Sequence, residues 1–440
     1  MRARTHLAAV LALAAMPLWS QVESSGAAPT GEEAPMFTPA PLSDEGYSLT
    51  FASERPRTNY VRGGLNVQGA YDTELPFSGR AIGDISYTVS PSISLAQSRS
   101  RTSWDLTYSP GFRFYQHNSF LNGTDHNLAL GFQYRLSPHV TLKVADSFQK
   151  MSTVLNAADD QNASNQHSGG VQGPSQSIVL PATPRITHFS DVEMTYQFGQ
   201  NSMIGAKGSL SGLWYPNRAS LSGLFDSTTE AGETFYTQRL SDRHYVGAVY
   251  GLQTLLTHPG QVETQTQSTV IFYTLYLPPT LAVSVFAGPE HSDTHGRTAE
   301  PLRRWSPAAG GSVGWHGAHV SFAGSYARRI SDGGGLSGAV RSNRADASAR
   351  WQLARTVTAN VGANYSTSHV LDPLTSFGTD GHSWSGTVSV QHPVGERFAV
   401  QMGYTRLHQN YRDVAAIANA PNRNNAWVSL SYQFERPLGR

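Results

Sequence analysis

The stretch that decides the fold is Asn127-Leu128-Ala129-Leu130-Gly131-Phe132-Gln133-Tyr134-Arg135-Leu136. Successive side chains of an extended strand point to opposite faces, so Leu128, Leu130, Phe132, Tyr134 and Leu136 share one side and Asn127, Ala129, Gly131, Gln133 and Arg135 the other. The two faces suit different solvents. The same alternation recurs from about residue 58 to 435. Ile85, Tyr87, Val89, Ile93 and Leu95 alternate with Ser86, Thr88, Ser92 and Ser94, and Val192, Met194, Tyr196 and Phe198 oppose Asp191, Glu193, Thr195 and Gln197. Asp146 interrupts the apolar face begun by Leu142 and Val144, and the segment from Val270 to Leu277 is apolar on both faces.

Composition narrows the class. The 440 residues carry 32 Lys plus Arg against 31 Asp plus Glu, a net charge of +1 that provides no basic excess for nucleic acid. No apolar run reaches the length of roughly 18 residues that marks a membrane helix. The absence of cysteine excludes disulfides, thiolate metal sites and a lipid-modified cysteine. At the N-terminus Arg2, Arg4 and His6 precede an Ala/Leu-rich segment from Leu7 to Leu18, the pattern of a secretory signal peptide. The expected organisation is a signal peptide over 1–20, with cleavage between 20 and 28, a flexible periplasmic segment over 21–57 rich in Pro, Ser, Glu and Ala, and a barrel over 58–440.

Short links suited to tight turns, such as Ser137-Pro138-His139, Gly199-Gln200-Asn201, Ser241-Asp242-Arg243 and Gly395-Glu396-Arg397, alternate with longer polar connectors near 74–81, 117–124, 152–185, 216–226, 293–304, 331–337, 371–381 and 412–422. This spacing predicts about 18 strands, within 16 to 20, starting near 61, 82, 102, 125, 140, 186, 202, 227, 243, 262, 281, 306, 318, 338, 357, 382, 397 and 423. Alternating strands with short periplasmic turns and longer extracellular loops predict an all-β, single transmembrane antiparallel barrel. A propeller would show an internal repeat, which is absent, and stacked sandwiches would not need the asymmetry of connector length.

The chain resembles the poorly characterised porin-type β-barrels of Gram-negative outer membranes. The resemblance rests on Ala426-Trp427-Val428-Ser429-Leu430-Ser431-Tyr432-Gln433-Phe434, and on Tyr108-Ser109-Pro110-Gly111-Phe112 with Tyr134-Arg135-Leu136-Ser137-Pro138-His139. It implies that Val428, Leu430, Tyr432 and Phe434 form the signal read by the barrel assembly machinery. It further implies location in the cell outer membrane, contact with outer-membrane lipid, a homo-oligomer as one form, and a third long loop that narrows the lumen, here 152–185 with Asp159 and Asp160.

With apolar faces turned to lipid, Asp105, Arg113, Arg135, Asp191, Glu193, Lys207, Asp346 and Arg350 turn to the lumen, with Asn360 and Asn364. Barrels of this size enclose water unless plugged, and mixed charges imply weak selectivity. Tyr60, Tyr71, Trp104, Trp214, Tyr365, Trp384, Tyr404 and Trp427 lie near strand ends, where either an interfacial girdle or the lumen suits them. Gly310-Gly311-Ser312-Val313-Gly314 has the spacing of a nucleophile elbow without the helix that elbow needs. Gly333-Gly334-Gly335-Leu336-Ser337-Gly338 matches a phosphate-loop spacing but leads into a strand pattern. The 16 His residues form no H-E-x-x-H, so no metal, cofactor or catalytic residue is expected. The expected function is passive diffusion of small hydrophilic solutes; the alternative is a structural or exopolysaccharide-secretion barrel, and a Ser312 hydrolase is the third class.

Overall fold

The computed structural model describes residues 59–438 apart from 78–79, 152–183, 217–223, 259–261, 278–280, 297–300, 336–337, 372–379 and 412–421. The segments expected as signal peptide and periplasmic tail, and Asp159 and Asp160, lie outside the described residues. Eighteen strands follow one another: β1 (Tyr60–Phe77), β2 (Arg80–Ser98), β3 (Thr102–Tyr115), β4 (Gly123–Arg135), β5 (Val140–Met151), β6 (Arg185–Gln197), β7 (Ser202–Trp214), β8 (Asp226–Arg239), β9 (His244–His258), β10 (Val262–Leu277), β11 (Leu281–His295), β12 (Leu302–His316), β13 (Val320–Asp332), β14 (Ala339–Ala354), β15 (Val357–Val370), β16 (Gly381–Val394), β17 (Phe398–Tyr411) and β18 (Asn422–Pro437). One turn of 3-10 helix, Ser119–Leu121, sits between β3 and β4.

Every strand pairs antiparallel with its neighbours in sequence, and β18 pairs with β1 from Tyr60↔Pro437 to Asp72↔Asn425. The sheet is therefore closed. The longest strand, β2, has 19 residues and the shortest, β5, has 12. A membrane crossing needs only about 9–11. The surplus explains a difference from the sequence reading: the stretch 74–81 is strand on both sides of 78–79, because the ladder continues beyond the length that a membrane crossing needs.

Register sorts the side chains. Leu65, Val67, Tyr87, Ile93, Met194, Ile271, Val285, Val361, Met402, Val428 and Leu430 are all exposed on the outer face, while Ser86, Thr195, Thr266, Ser389 and Ser429 are buried on the inner one. Tyr71, Trp214, Tyr365, Trp384 and Tyr404 join the exposed outer set, and Trp104, in register with Phe132, shares that face. Two of the girdle candidates do not: Tyr60 and Trp427 point inward and are buried.

Cross-strand partners account for Trp427. It lies opposite Gly403, in whose missing side-chain volume its indole rests. Phe235 over Gly205, Phe272 over Gly247 and Phe286 over Gly310 repeat the arrangement on the inner wall. At Gly310 a Cβ would run into the Tyr326 carbonyl oxygen, which is backbone and cannot yield, whereas at Gly232 it would meet nothing within 4 Å. Gly310→Ala is expected to lower unfolding free energy by about 1–3 kcal/mol and Gly232→Ala to leave it nearly unchanged, as read by urea unfolding from lipid vesicles.

Candidate pore and its inward hairpin

The inner wall carries a row of alternating charge. Lys143, Glu193, Lys207 and Glu233 stand opposite one another on β5, β6, β7 and β8. Lys143 donates to Glu193 at 3.1 Å, and Lys207 lies 3.8 Å from Asp191, one step along β6. On the far wall Arg344 donates to Asp346 at 2.9 Å, and the Asn364 amide donates to the other Asp346 oxygen at 2.9 Å. These charges are compensated locally, which suits a wet wall without a strong field of one sign. Arg135 near one end of β4, Arg113 on β3, Arg304 on β12 and Arg350 on β14 face the same lumen by register, and among the described residues none has an ion-pair partner. Arg113 donates to the Thr88 hydroxyl at 3.1 Å. Asp105 faces inward opposite Gly131 and likewise has no ion-pair partner among the described residues.

The upper part of β13 leaves the wall. Its pairing with β12 ends at Ala309↔Arg328 although the strand runs on to Asp332. From there the chain crosses the lumen: Ile330 and Ala339 form a buried apolar cluster with Leu255 of β9 and with Leu371, which follows β15. The tip is held from the facing wall. The Tyr215 hydroxyl donates to the Gly334 carbonyl at 3.1 Å, and the Phe225 amide donates to Gly335 at 2.9 Å. Gly334, Gly335 and Gly338 have φ of 55°, 109° and 72°, the left-handed region that glycine enters without steric cost. Burial pushes the Tyr215 phenol up to about 12, so it remains a donor throughout the physiological range. The buried Arg185 guanidinium lies within electrostatic reach of Tyr215 and Asp332.

Gly333, Gly334 and Gly335, from the run with phosphate-loop spacing, thus lie at the tip of a lumen-crossing hairpin. Sequence reasoning did not reach Tyr215, Arg185, Asp332 or Ile330, because the contacts join strands distant in sequence; the three consecutive glycines were the one local signal. Ser312 faces the lumen between Ser284 and Ser325, and among the described residues its hydroxyl has no hydrogen-bond partner and no base beside it. On the outer wall Asp146, Ser190 and His188 come together. Ser190 donates to Asp146 at 2.5 Å, and His188 Nε2 lies 3.0 Å from the same carboxylate oxygen and 3.1 Å from the serine. One imidazole nitrogen meets both groups, whereas a proton relay needs the carboxylate on the opposite nitrogen from the serine.

No protein-family model and no curated protein matches the chain. Among solved structures it is similar to the outer membrane protein OpdK from Pseudomonas aeruginosa, at 11% identity and a TM-score of 0.42 over 86% of this chain and 99% of that one. It is similar to OccK2 (OpdF) of the same organism, solved in complex with glucuronate, at 10% identity and a TM-score of 0.44 over 86% and 100%. OpdK solved with vanillate gives 10% and 0.43 over 86% and 99%. At this distance the fold rests on the ladder itself. A closed antiparallel ladder with an apolar outer wall and a polar inner wall defines a multi-pass transmembrane β-barrel of the outer-membrane type.

Because the chain has no cysteine, paired thiols report the hairpin cleanly. Leu255→Cys with Ile330→Cys is expected to cross-link under a short bifunctional thiol reagent in most folded molecules, and Leu255→Cys with Ser321→Cys, at the far end of β13, to stay free; gel mobility after denaturation reads both.

Proposed function

We propose that the chain is a porin-like channel that passes small hydrophilic solutes by passive diffusion. The observation that carries this reading is the polar inner wall of a closed 18-stranded barrel, crossed by the β13–β14 hairpin. The hairpin between β13 and β14 narrows the lumen by reaching from its own side to the ends of β7 and β8, where Tyr215 and Phe225 hold its tip, while the charge row on β5 to β8 lines the wall along those strands. Solutes move past a wall that offers hydrogen bonds at every second residue and keeps their hydration partly replaced. Asp105, Arg113, Arg135, Asp191, Glu193, Lys207, Asp346 and Arg350 line this path. Local pairing cancels most of their charge, and the excess of unpaired arginine over Asp105 gives a weak preference for anions.

Planar-bilayer recording of the refolded chain is expected to give stable open steps, with a reversal potential of anion sign in a potassium chloride gradient. Arg350→Glu is expected to move that potential toward cation selectivity with little change in conductance. A folded barrel that stays silent in this assay contradicts the channel reading and turns attention to a secretion-associated role.

A further inference from the structure

Asp146, His188 and Ser190 form a polar island in a wall that faces lipid. Register puts all three on the outer face, with Val144 and Val192. Asp146 lies midway along β5, between Val144 and Phe148 on that face, and Ile186 and Val192 flank the other two along β6. Across the ladder Leu130 stands opposite Asp146 and Leu210 opposite Ser190. The island is therefore ringed by side chains that suit hydrocarbon, away from the strand ends where lipid headgroups lie.

Its internal bonds leave two groups over. Ser190 donates to Asp146 Oδ2 and His188 Nε2 meets the same oxygen. Asp146 Oδ1 and His188 Nδ1 enter none of these bonds and have no other partner among the described residues. Both side chains open outward, the carboxylate 31% and the imidazole 25% exposed. Paired with the carboxylate as an imidazolium, His188 carries a hydrogen on each nitrogen. One charged acceptor and one charged donor are thus left to acyl chains, which can answer neither.

Symmetry supplies what lipid cannot. The acceptor sits on β5 and the donor beside it on β6. Two copies of one chain insert the same way up, so a two-fold axis between them runs along the membrane normal and exchanges left and right. The β5 side of one copy then lies against the β6 side of the other, which sets each carboxylate against an imidazole and brings no like charges together. A different protein would need the reverse order of charge written into its own sequence, whereas a second copy presents it by rotation. The surface also allows close approach, since a Cβ at Gly208, next to Leu210 on the same face of β7, would meet nothing within 4 Å.

We propose that the outer face of β5 and β6 is the contact between two copies of this chain, a two-fold dimer in which Asp146 of each copy accepts from the partner's His188. Val192, the next residue on that face after Ser190, lies beside the axis. The contact is outside the lumen and independent of solute passage.

The test uses the full chain in lipid vesicles with single cysteines, since it has none of its own. Val192→Cys lies beside the axis, and Val361→Cys, equally exposed outward, lies on β15 on the opposite side of the closed sheet. Copper-phenanthroline oxidation is expected to join most of Val192→Cys into disulfide-linked pairs on a denaturing gel, and Val361→Cys only at the level of chance collision, which falls as lipid is added. In density-matched micelles, sedimentation equilibrium of the unsubstituted chain is expected to show monomer and dimer alone. Asp146→Asn, checked for folding by its heat-modifiable gel mobility, is expected to raise the dissociation constant about tenfold, the loss of a charge-assisted hydrogen bond. Gly208→Trp, which a single copy accommodates in open space, is expected to raise it at least as far. A chain that stays monomeric, a trimer, equal cross-linking of the two cysteine variants, or a dissociation constant unchanged in folded Asp146→Asn overturns the proposal and leaves Asp146 and His188 as a self-contained ion pair facing lipid.

Discussion

The ladder between β1 and β18 is the constraint on which the rest of the barrel depends. In hydrocarbon an unpaired backbone group costs several kcal/mol, so the first and last strands must meet or both must expose a full row of donors and acceptors. Meeting sets the parity of every side chain: once Gly63 faces Phe434 and Val67 faces Leu430 outward, each following register is fixed in turn around the sheet. The seam is pinned at both ends by charge. Arg62 and Glu435 at one end are part-exposed and worth little, about 0–1 kcal/mol, whereas Asp72 and Arg423 at the other are buried, and Asn425 also donates to Asp72. The residues after Phe434 lengthen this ladder to Pro437 and supply Glu435.

Among the described residues the ladder breaks off for good between β12 and β13 above Ala309↔Arg328, and that departure shapes the lumen. Where β13 leaves β12, the hairpin it forms with β14 packs Ile330 and Ala339 against Leu255 and Leu371, and Val270 and Ala308 on the inner wall are fully buried. On β12 Pro307 has no amide to leave unpaired, and on β13 the freed Ile330 amide donates to Glu290, which also accepts from the Ser306 hydroxyl. A barrel of this diameter would otherwise hold open water. Among the described residues the inward hairpin bridges the lumen from β13 and β14 to the ends of β7 and β8, the strands that carry Lys207 and Glu233.

How far the sequence was legible follows from which interactions are local. Strand starts read at 61, 140, 202, 262, 281 and 357 stand against observed starts at 60, 140, 202, 262, 281 and 357, because period-two alternation is written into each segment. The largest displacement is β12, which starts at Leu302 rather than near 306, in the stretch where its outer partner is missing. Asp146, an interruption in its face, has His188 and Ser190 as partners on the adjoining strand. Aromatic orientation was not legible: Trp427 turns inward because Gly403 lies across from it, and such pairs exist only once register is known. The hairpin was hidden for the same reason, since Leu255, Ile330 and Leu371 come from three separate parts of the chain.

The central claim is that alternate residues of each strand face lipid and water in a closed barrel, and single-cysteine labelling along β17 in reconstituted vesicles tests it most directly. The account predicts that a membrane-impermeant thiol reagent modifies cysteines replacing Ala399 and Gln401, which face the lumen, and spares those replacing Val400 and Met402, which face lipid. Labelling without regard to parity, or of Val400 and Met402 in preference, would contradict it.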